Sequence, residues 1–459
     1  MQASLGQDRS GEDVWNVATW KSDISSKVSF IRQNLKKQAN NRPAAWKHAL
    51  NIQKSYFTTV LKRSNRFDLT EEDIDNVDVI VEIVDEFIFN GGKDFTAMQE
   101  LHLLEIIRSH FQANDDDVNR CLQFAAMFNL SPHDEMKEYR CKMLGKLVSM
   151  SVALDCSKIL ECVAVWIMKH RSSFQDILDL IQAIIYDYCI LVPTSLAALE
   201  RMVNHSSLLA SQFLTAVTLL YPMYKAPSQD EEMSTENLEK RKSCLPPFSL
   251  LTLVADWVAS QPGISLTPYP QHLGMLPNCR AANQDMETPA PAGPANKLPL
   301  TPILGLIRWS ILGTLCFLSQ RQTKLSPDQH KEIKLVFSKL QFGVLETLLT
   351  AKKQREEKEQ DSEIEPGEVM EEELDYRSLV TIHNLQEICM ELLDISKELP
   401  CEDALESRDS LMILAVDRLA QIIQVAKSTD CLSGKISEFS STYKNLPHTR
   451  LLNLVLQSR

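Results

Sequence analysis

The sequence predicts an all-α fold: an array of helical hairpins, that is, an α-solenoid of the HEAT or armadillo type, followed by a C-terminal helical bundle. Glycine is scarce, at 13 of 459 residues, whereas sheets and phosphate-binding loops use glycine in their turns. Apolar residues recur at helical spacing in segments of about 12 to 22 residues joined by short polar links. Such segments are typical of antiparallel helix pairs, and the array is inferred from this rhythm because no sequence repeat is visible.

The first half of the chain holds most of the predicted helices. Residues 1–43 are predicted to be a basic, flexible extension, and residues 44–221 the helical array. Thr70 and the acidic residues after it are typical of a helix N-terminus. Asn90-Gly91-Gly92 is typical of the C-cap of the same helix. The helices of this region are predicted at 44–62, 70–89, 115–128, 133–154, 157–170, 174–189, 193–204 and 206–221, with a further helix starting near Thr96.

The second half alternates helices with polar segments. Residues 222–299 are predicted to be a polar and Pro-rich linker region with one short helix at 248–260, because residues 261–299 lack helical periodicity. The remaining segments are predicted as a helical segment at 300–354 with helices at 301–320 and 327–354, an acidic disordered run at 355–375, and a helical bundle at 376–459, in which Ala415, Leu419, Ile422 and Ala426 share one helix face.

Charge is unevenly distributed along the chain. The net charge of −13 disfavours a general nucleic-acid binder. Residues 1–66 nevertheless hold twelve Lys or Arg and four acids, and residues 356–373 hold ten acids and one lysine. The basic arm either contacts nucleic-acid phosphates or an acidic partner, or is a solvated extension. The acidic run either docks a basic partner or is a spacer. The arm combines Lys27, Arg32, Lys36, Lys37, Arg42 and Lys47 with Trp15, Trp20, Phe30 and Trp46.

Cysteine usage and hydropathy point to an intracellular protein. Eleven cysteines occur without a CxxC pair, which predicts reduced, buried thiols in the cytosol or nucleus. The N-terminus lacks the apolar core of a signal peptide. Residues 301–319 have the length of a membrane span, but Arg308 lies near their middle, so a buried helix is predicted instead. The cysteines in apolar helical patterns are Cys121, Cys156, Cys162, Cys189, Cys316 and Cys389.

We find no complete catalytic, cofactor or metal motif. Gly145 and Lys146 lack the upstream glycine and the following Ser or Thr of a phosphate loop, so Gly145 is predicted at a close helix contact. The other partial patterns are interpreted as core or surface residues, and the chain is predicted not to be an enzyme and to need no cofactor. They are His102 with His110, Cys156 with Cys162, Glu82 with Asp85 and Glu86, and Ser441 with Lys444.

Four blocks, in order, carry a resemblance to a known family. They are Met98–Ile107, Met143–Ala153 with Leu160–Ala164, Leu300–Trp309, and Asp417–Gln421 with Gln424–Ala426. Lesser matches are Asp187–Pro193 and Leu446–His448 ahead of Leu451 and Leu452. On these residues, which run from about 44 to 456, the chain resembles the Integrator complex subunit 15 family as a divergent member. The Pro- and His-rich tail associated with that family is not found in it.

The resemblance implies a non-catalytic nuclear scaffold. Such a subunit bridges the module of Integrator subunits 10, 13 and 14 to the rest of the complex, which acts in snRNA 3′-end processing and attenuation of RNA polymerase II transcription. The expected partners are Integrator subunits, foremost subunit 10, with no membrane and no direct nucleic-acid contact beyond the basic arm. The alternative is a helical adaptor of another nuclear or cytosolic complex.

Overall fold

The computed structural model describes residues 97–128, 137–224, 244–266, 298–320, 326–361, 375–398, 408–439 and 446–457. These residues are almost entirely helical, which confirms the all-α class. The predicted helices at 44–62 and 70–89, the basic arm, the acids at 82, 85 and 86, and the segment 441–444 lie outside them.

The helices and strands have the following bounds. They are α1 Ala97–Ala113, α2 Asp117–Met127, α3 Lys137–Ala153, α4 Ser157–Lys169, α5 Phe174–Ile185, a π-helix Tyr186–Leu191, a 3-10 turn Pro193–Ser195, α6 Leu196–His205, α7 Ser207–Leu220, α8 Phe248–Ser260, a 3-10 turn Pro262–Leu266, α9 Ile303–Gln320, α10 Pro327–Asp361, a 3-10 turn Tyr376–Ser378, β1 Val380–Thr381, α11 Ile382–Glu398, α12 Arg408–Ser428, β2 Leu432–Ser433, α13 Ile436–Phe439 and α14 Arg450–Gln457.

The chain divides into two compact units. The smaller contains, among described residues, 97–103, 122–128 and 137–140. Phe124 and Phe128 are buried in it, with ring centroids 4.9 Å apart. Arg140 donates to the carbonyl oxygen of Met127 at 2.7 Å. The larger unit holds the rest of the described residues.

The core of the larger unit is built around α9 and α10. Helix α10 packs on α8, α9 and α12, and α9 also contacts α7 and α11. Trp309 on α9 is fully buried, and its indole N–H donates to the carbonyl oxygen of Tyr221 at 2.7 Å. A buried indole needs such an acceptor. The apolar segment that could have been a membrane span is therefore a core helix.

Glycines allow these helices to approach closely. A Cβ added at Gly313 on α9 would lie 2.0 Å from the Phe337 ring on α10. A Cβ added at Gly343 on α10 would lie 2.8 Å from backbone atoms of Val258 and Ala259 on α8. Real Cβ atoms do not come so near, so a side chain at either position would force the helices apart.

Arg418 on α12 is a buried cation that joins three helices. Its guanidinium donates to the carbonyl oxygen of Ser310 at 3.0 Å and to the hydroxyl of Thr314 at 2.6 Å, both on α9. It also donates to the hydroxyl of Ser338 on α10 at 3.3 Å. Burial lowers the pKa of Arg418 to about 10, so the side chain remains protonated at neutral pH.

Several segments differ from their sequence-based predictions. The linker predicted at 261–299 is wrong for its first residues. Ile264, Ser265 and Leu266 are buried in a 3-10 turn against α10. Leu298 is also buried. The short helix has its predicted bounds of 248–260. A two-residue parallel pairing, with Val380 opposite Leu432, was not predicted, because two residues carry no alternating pattern.

Helix α10 also continues beyond its predicted end at 354, to Asp361. The predicted acidic run at 355–375 therefore begins inside a helix. Lysines 352 and 353 lie within 4.0 Å of the glutamates four residues later, Glu356 and Glu357. Such pairs stabilise a helix, and no helix breaker occurs before Pro366 and Gly367.

We predict that Gly343→Ala lowers the free energy of unfolding by about 1–3 kcal/mol, because the new methyl would meet backbone atoms of α8. Gly145→Ala is the matched control, since its Cβ would lie 3.9 Å from Ala183 and Leu180, an ordinary contact. It should gain about 0.5–1 kcal/mol from helix propensity. Urea denaturation of both variants measures the change in the free energy of unfolding. Equal changes in the two variants would contradict the packing argument.

Truncation of Arg418 should be far more costly than replacement by a side chain of similar length. Arg418→Ala leaves a cavity and removes the side-chain donor to the Ser310 carbonyl and the Thr314 hydroxyl, and should cost about 3–5 kcal/mol. Arg418→Met keeps most of the volume and removes the buried charge, so it should cost less than half as much. Urea denaturation distinguishes them, and a methionine variant as unstable as the alanine variant would contradict this account.

Candidate interaction surfaces

Of the residues in the predicted partial motifs, the structure buries Gly145, Cys156 and Cys162, whereas Lys146 is exposed. Gly145 on α3 faces Ala183 and Leu180 on α5, but an added Cβ would lie 3.9 Å from each, an ordinary contact, so the predicted close helix contact is not confirmed. His110 lies beside the Phe111 ring, with centroids 5.4 Å apart; the side chain of His102 is outside the described part. Among the described residues, no group of three or more His, Cys, Asp or Glu side chains is placed to hold a metal ion.

The cysteines behave as core thiols. Of the nine that the structure describes, all except Cys141 are buried. The sulfurs of Cys121 and Cys162 lie 3.9 Å apart. Burial raises the pKa of the Cys189 thiol to about 11 and that of Cys389 to about 12. Thiols of this kind are protonated and unreactive near neutral pH.

Arg308, the charge within the apolar segment, forms an ion pair. Its guanidinium donates to both carboxylate oxygens of Glu391 on α11, at 2.7 Å for the Nε–Oε2 pair. Burial raises the pKa of Glu391, and the hydrogen bonds from Arg308 oppose that rise. The pair thus connects α9 to α11 near the surface. No helix in the described ranges is long and apolar enough to cross a membrane.

An exposed apolar patch lies where α5 changes into a π-helix. The predicted helix at 174–189 instead ends its α-helical part at Ile185, and residues Tyr186–Leu191 form the wider π-turn. The Val192 N–H donates to the Asp187 carbonyl oxygen at 3.1 Å, which spans five residues.

Two polar contacts fix this π-helix against α3. The Tyr188 hydroxyl donates to the carbonyl oxygen of Ser149, and the Ser149 hydroxyl donates to Oδ2 of Asp187 at 2.6 Å. Tyr188 is buried, and burial raises its pKa to about 12. Because Tyr188 and Cys189 point inward, the remaining large apolar side chains of the turn are directed outward.

We call the outward side chains the π-helix patch: Tyr186, Ile190, Leu191 and Val192, each close to half exposed or more. Exposed apolar side chains that are contiguous in this way mark interaction sites more often than isolated ones do. Sequence analysis missed the patch because a run of apolar residues is read as core. The lesser match Asp187–Pro193 was the one signal that pointed to it.

A second candidate surface is a groove of about 510 Å³ between α12 and α14. Its apolar lining includes Ile413, Leu451 and Leu454, and its polar lining includes Asp417 and His448. Oδ1 of Asp417 is buried and has no hydrogen-bond partner among the residues that the structure describes. An unsatisfied carboxylate oxygen beside exposed apolar side chains suits a binding segment that supplies both an apolar anchor and a hydrogen-bond donor.

The described helices thus define an all-α protein with apolar surfaces exposed on a rigid packed core, a class typical of helical protein-binding subunits. A profile of the Integrator complex subunit 15 family matches residues 29–448. The chain belongs to that family, which confirms the resemblance and extends it into the predicted 1–43 extension.

Proteins with the name Integrator complex subunit 15 are similar to this chain along most of their own length. The Danio rerio protein is 31% identical over 389 residues, which cover 82% of this chain and 71% of that protein. The Homo sapiens protein is 28% identical over 398 residues, with 82% and 77% covered. The Drosophila melanogaster protein is 22% identical over 423 residues, with 88% and 94% covered.

We predict that Tyr188→Phe loosens the π-helix. Loss of the hydrogen bond to Ser149 should lower the free energy of unfolding by about 1 kcal/mol at pH 7 and speed amide exchange at residues 186–192. Tyr188 has a raised pKa, so the unfolded chain ionises first and the contribution of this tyrosine is lost between pH 10 and about 12. The free energy of unfolding of the wild type should therefore fall relative to that of the variant over that range, as measured by urea denaturation and hydrogen-exchange mass spectrometry. A relative rise over that range would contradict the assignment.

Proposed function

We propose that this protein is a non-catalytic scaffold subunit of the nuclear Integrator complex. In this role it bridges the module of subunits 10, 13 and 14 to the rest of the complex during snRNA 3′-end processing and attenuation of RNA polymerase II transcription. Family membership and helices with exposed apolar surfaces support the proposal. Subunit 10 is the foremost partner, and no cofactor is required.

The π-helix patch is the observation that carries the proposal. Three of its four residues, Ile190, Leu191 and Val192, lie in the Asp187–Pro193 segment that resembles the family, yet their side chains are directed to the surface. A core role would bury these side chains, whereas a partner surface requires them exposed. The contacts of Tyr188 and Asp187 with α3 hold the patch rigid before any partner binds, which lowers the entropic cost of association.

The groove between α12 and α14 supplies a second contact in this proposal. It is lined by Asp417 and His448, which lie in two further segments that resemble the family. Two separate apolar surfaces suit a bridge, because each can hold a different part of the complex.

The domain organisation belongs to the same proposal. Residues 44–221 form a solenoid-like array of helical hairpins and residues 376–459 a bundle. In this proposal three segments act as spacers between partners. They are the basic extension at 1–43, the linker region and the part of the acidic run after α10.

We predict that Ile190→Glu combined with Leu191→Glu reduces recovery of Integrator subunits with the tagged protein at least tenfold, because two apolar anchors are lost and charges are introduced. Met390→Glu is the matched control, since Met390 on α11 is 60% exposed and lies outside both surfaces. The measurement is quantitative mass spectrometry of proteins purified with the chain, tagged at its own locus, from nuclear extract.

Near-stoichiometric Integrator subunits with the wild type and the control, and loss with the double variant, would support the proposal. Equal recovery with all three proteins would exclude the π-helix patch as the contact. Absence of Integrator subunits from the wild-type sample, in an extract with intact Integrator, would favour the adaptor of another complex.

A further inference from the structure

Helix α10 exposes a row of large apolar side chains at seven-residue spacing. Leu335 is 69% exposed, Phe342 is 55% exposed and Leu349 is 46% exposed. The opposite face of the helix is buried, with Phe337, Leu340, Val344 and Leu348 in the core. Residues seven apart lie almost directly above one another on an α-helix. The three side chains therefore form a single stripe about 20 Å long.

This stripe has the pattern of one strand of a coiled coil. With Leu335, Phe342 and Leu349 at the a positions, Ser338 and Leu345 occupy the intervening d positions. Lysines 331 and 352 are the d residues at the two ends, where long aliphatic stems can cover apolar neighbours while the amines reach water. Helix α10 packs on α8, α9 and α12 through its other faces, so the stripe is not required by the fold of the single chain.

The charges beside the stripe define its partner. The e positions are Glu332, Lys339, Glu346 and Lys353, which alternate in sign at seven-residue intervals. Residues at e positions form ion pairs across a coiled coil and determine its partner and orientation. A helix that complements this row must carry the opposite alternation, Lys-Glu-Lys-Glu, along its facing edge.

Helix α10 itself carries that alternation when it is read in the reverse direction. We propose that the stripe pairs with the same stripe of a second copy of this chain, in antiparallel orientation about a two-fold axis. Lys339 then meets Glu346 of the second copy, and Glu332 meets Lys353 of the second copy, each pair occurring twice. Phe342 packs against Leu345 of the second copy, and Leu349 against its Ser338.

Parallel pairing is disfavoured by the same residues. In a parallel coiled coil each g residue faces the e residue five positions later on the partner helix. Lys334 would face Lys339 of the second copy, so like charges would be opposed at both edges. In the antiparallel arrangement Lys334 faces Arg355 of the second copy, so the orientation depends on the four ion pairs between e positions, which the parallel arrangement lacks.

The contacts that these charges make within one chain are weak enough to exchange. Lys339 contacts Asp256 on α8 at 2.6 Å, but both side chains are about half exposed. Lys353 lies 3.8 Å from Glu357, also exposed. Exposed pairs contribute little to stability. A single helix seam is smaller than a standard interface, so we expect a dimer that dissociates in the micromolar range and weakens as salt is raised.

The first test is sedimentation equilibrium of the full chain from about 1 to 100 μM at low salt, which should reveal a monomer–dimer equilibrium. Phe342→Glu should abolish the dimer, whereas Met390→Glu, with a similarly exposed methionine on α11, should retain it. Circular dichroism melts verify that both variants are folded. A wild type that stays monomeric throughout, or a dimer that survives Phe342→Glu in a folded protein, would overturn the proposal.

Charge reversal tests the orientation. Lys339→Glu opposes two glutamates on each side of the two-fold axis, and Glu346→Lys opposes two lysines there, so each variant should dimerise about tenfold more weakly. The two variants mixed together should form a heterodimer, detected by native mass spectrometry, and the chain with both substitutions should recover the wild-type affinity. Asp256→Asn, which removes the contact of Lys339 within the chain, is the control and should leave the affinity unchanged.

A mixture that forms no heterodimer, or a double variant as weak as the single ones, would exclude the antiparallel pairing. Such results would leave the Integrator proposal intact, because that proposal depends on the π-helix patch and a different experiment. Recovery in both the mixture and the double variant would confirm the register of the pairing.

Discussion

The buried guanidinium of Arg418 is the interaction on which the larger unit depends most. Its three acceptors are neutral groups on α9 and α10, so the charge is stabilised by directed dipoles and not by an opposite charge. A desolvated cation is tolerated only where such acceptors are held in place. Because three helices must be correctly aligned to supply them, the arginine selects one packing of α9, α10 and α12 over alternatives of similar apolar burial.

Helix α10 shows how the same helix can serve the core and the surface. One face packs on α8 at Gly343, where an added Cβ would clash with backbone atoms of α8. Another face packs on α9 through Phe337, whose ring centroid lies 5.4 Å from that of Phe317. Gln341 donates to the carbonyl oxygen of Arg418 at 3.2 Å on the side of α12. The rigidity that these contacts impose on the helix is what makes its exposed stripe a defined surface.

The segments that resemble the family serve different physical purposes. Leu300–Trp309 and Asp417–Gln421 contribute to the core through Trp309 and Arg418, while Arg308 of the first segment joins α11 through Glu391. Asp187–Pro193 combines one buried anchor, Tyr188, with outward apolar residues. A segment that resembles the family can therefore serve either core packing or partner binding. The solvent exposure of its side chains in the fold distinguishes the two roles.

The sequence by itself determined the all-α class, most helices and the family, because apolar periodicity, scarce glycine and capping residues act locally. It also located the helix at 248–260. Tertiary structure alone decided the rest. The π-helix depends on the contacts of Asp187 and Tyr188 with Ser149 on α3, which lies 38 and 39 residues away from them in sequence. The burial of residues 264–266 depends on α10. Whether an apolar residue such as Ile190 or Phe342 is core or surface depends on which helices cover it, and no local pattern contains that information.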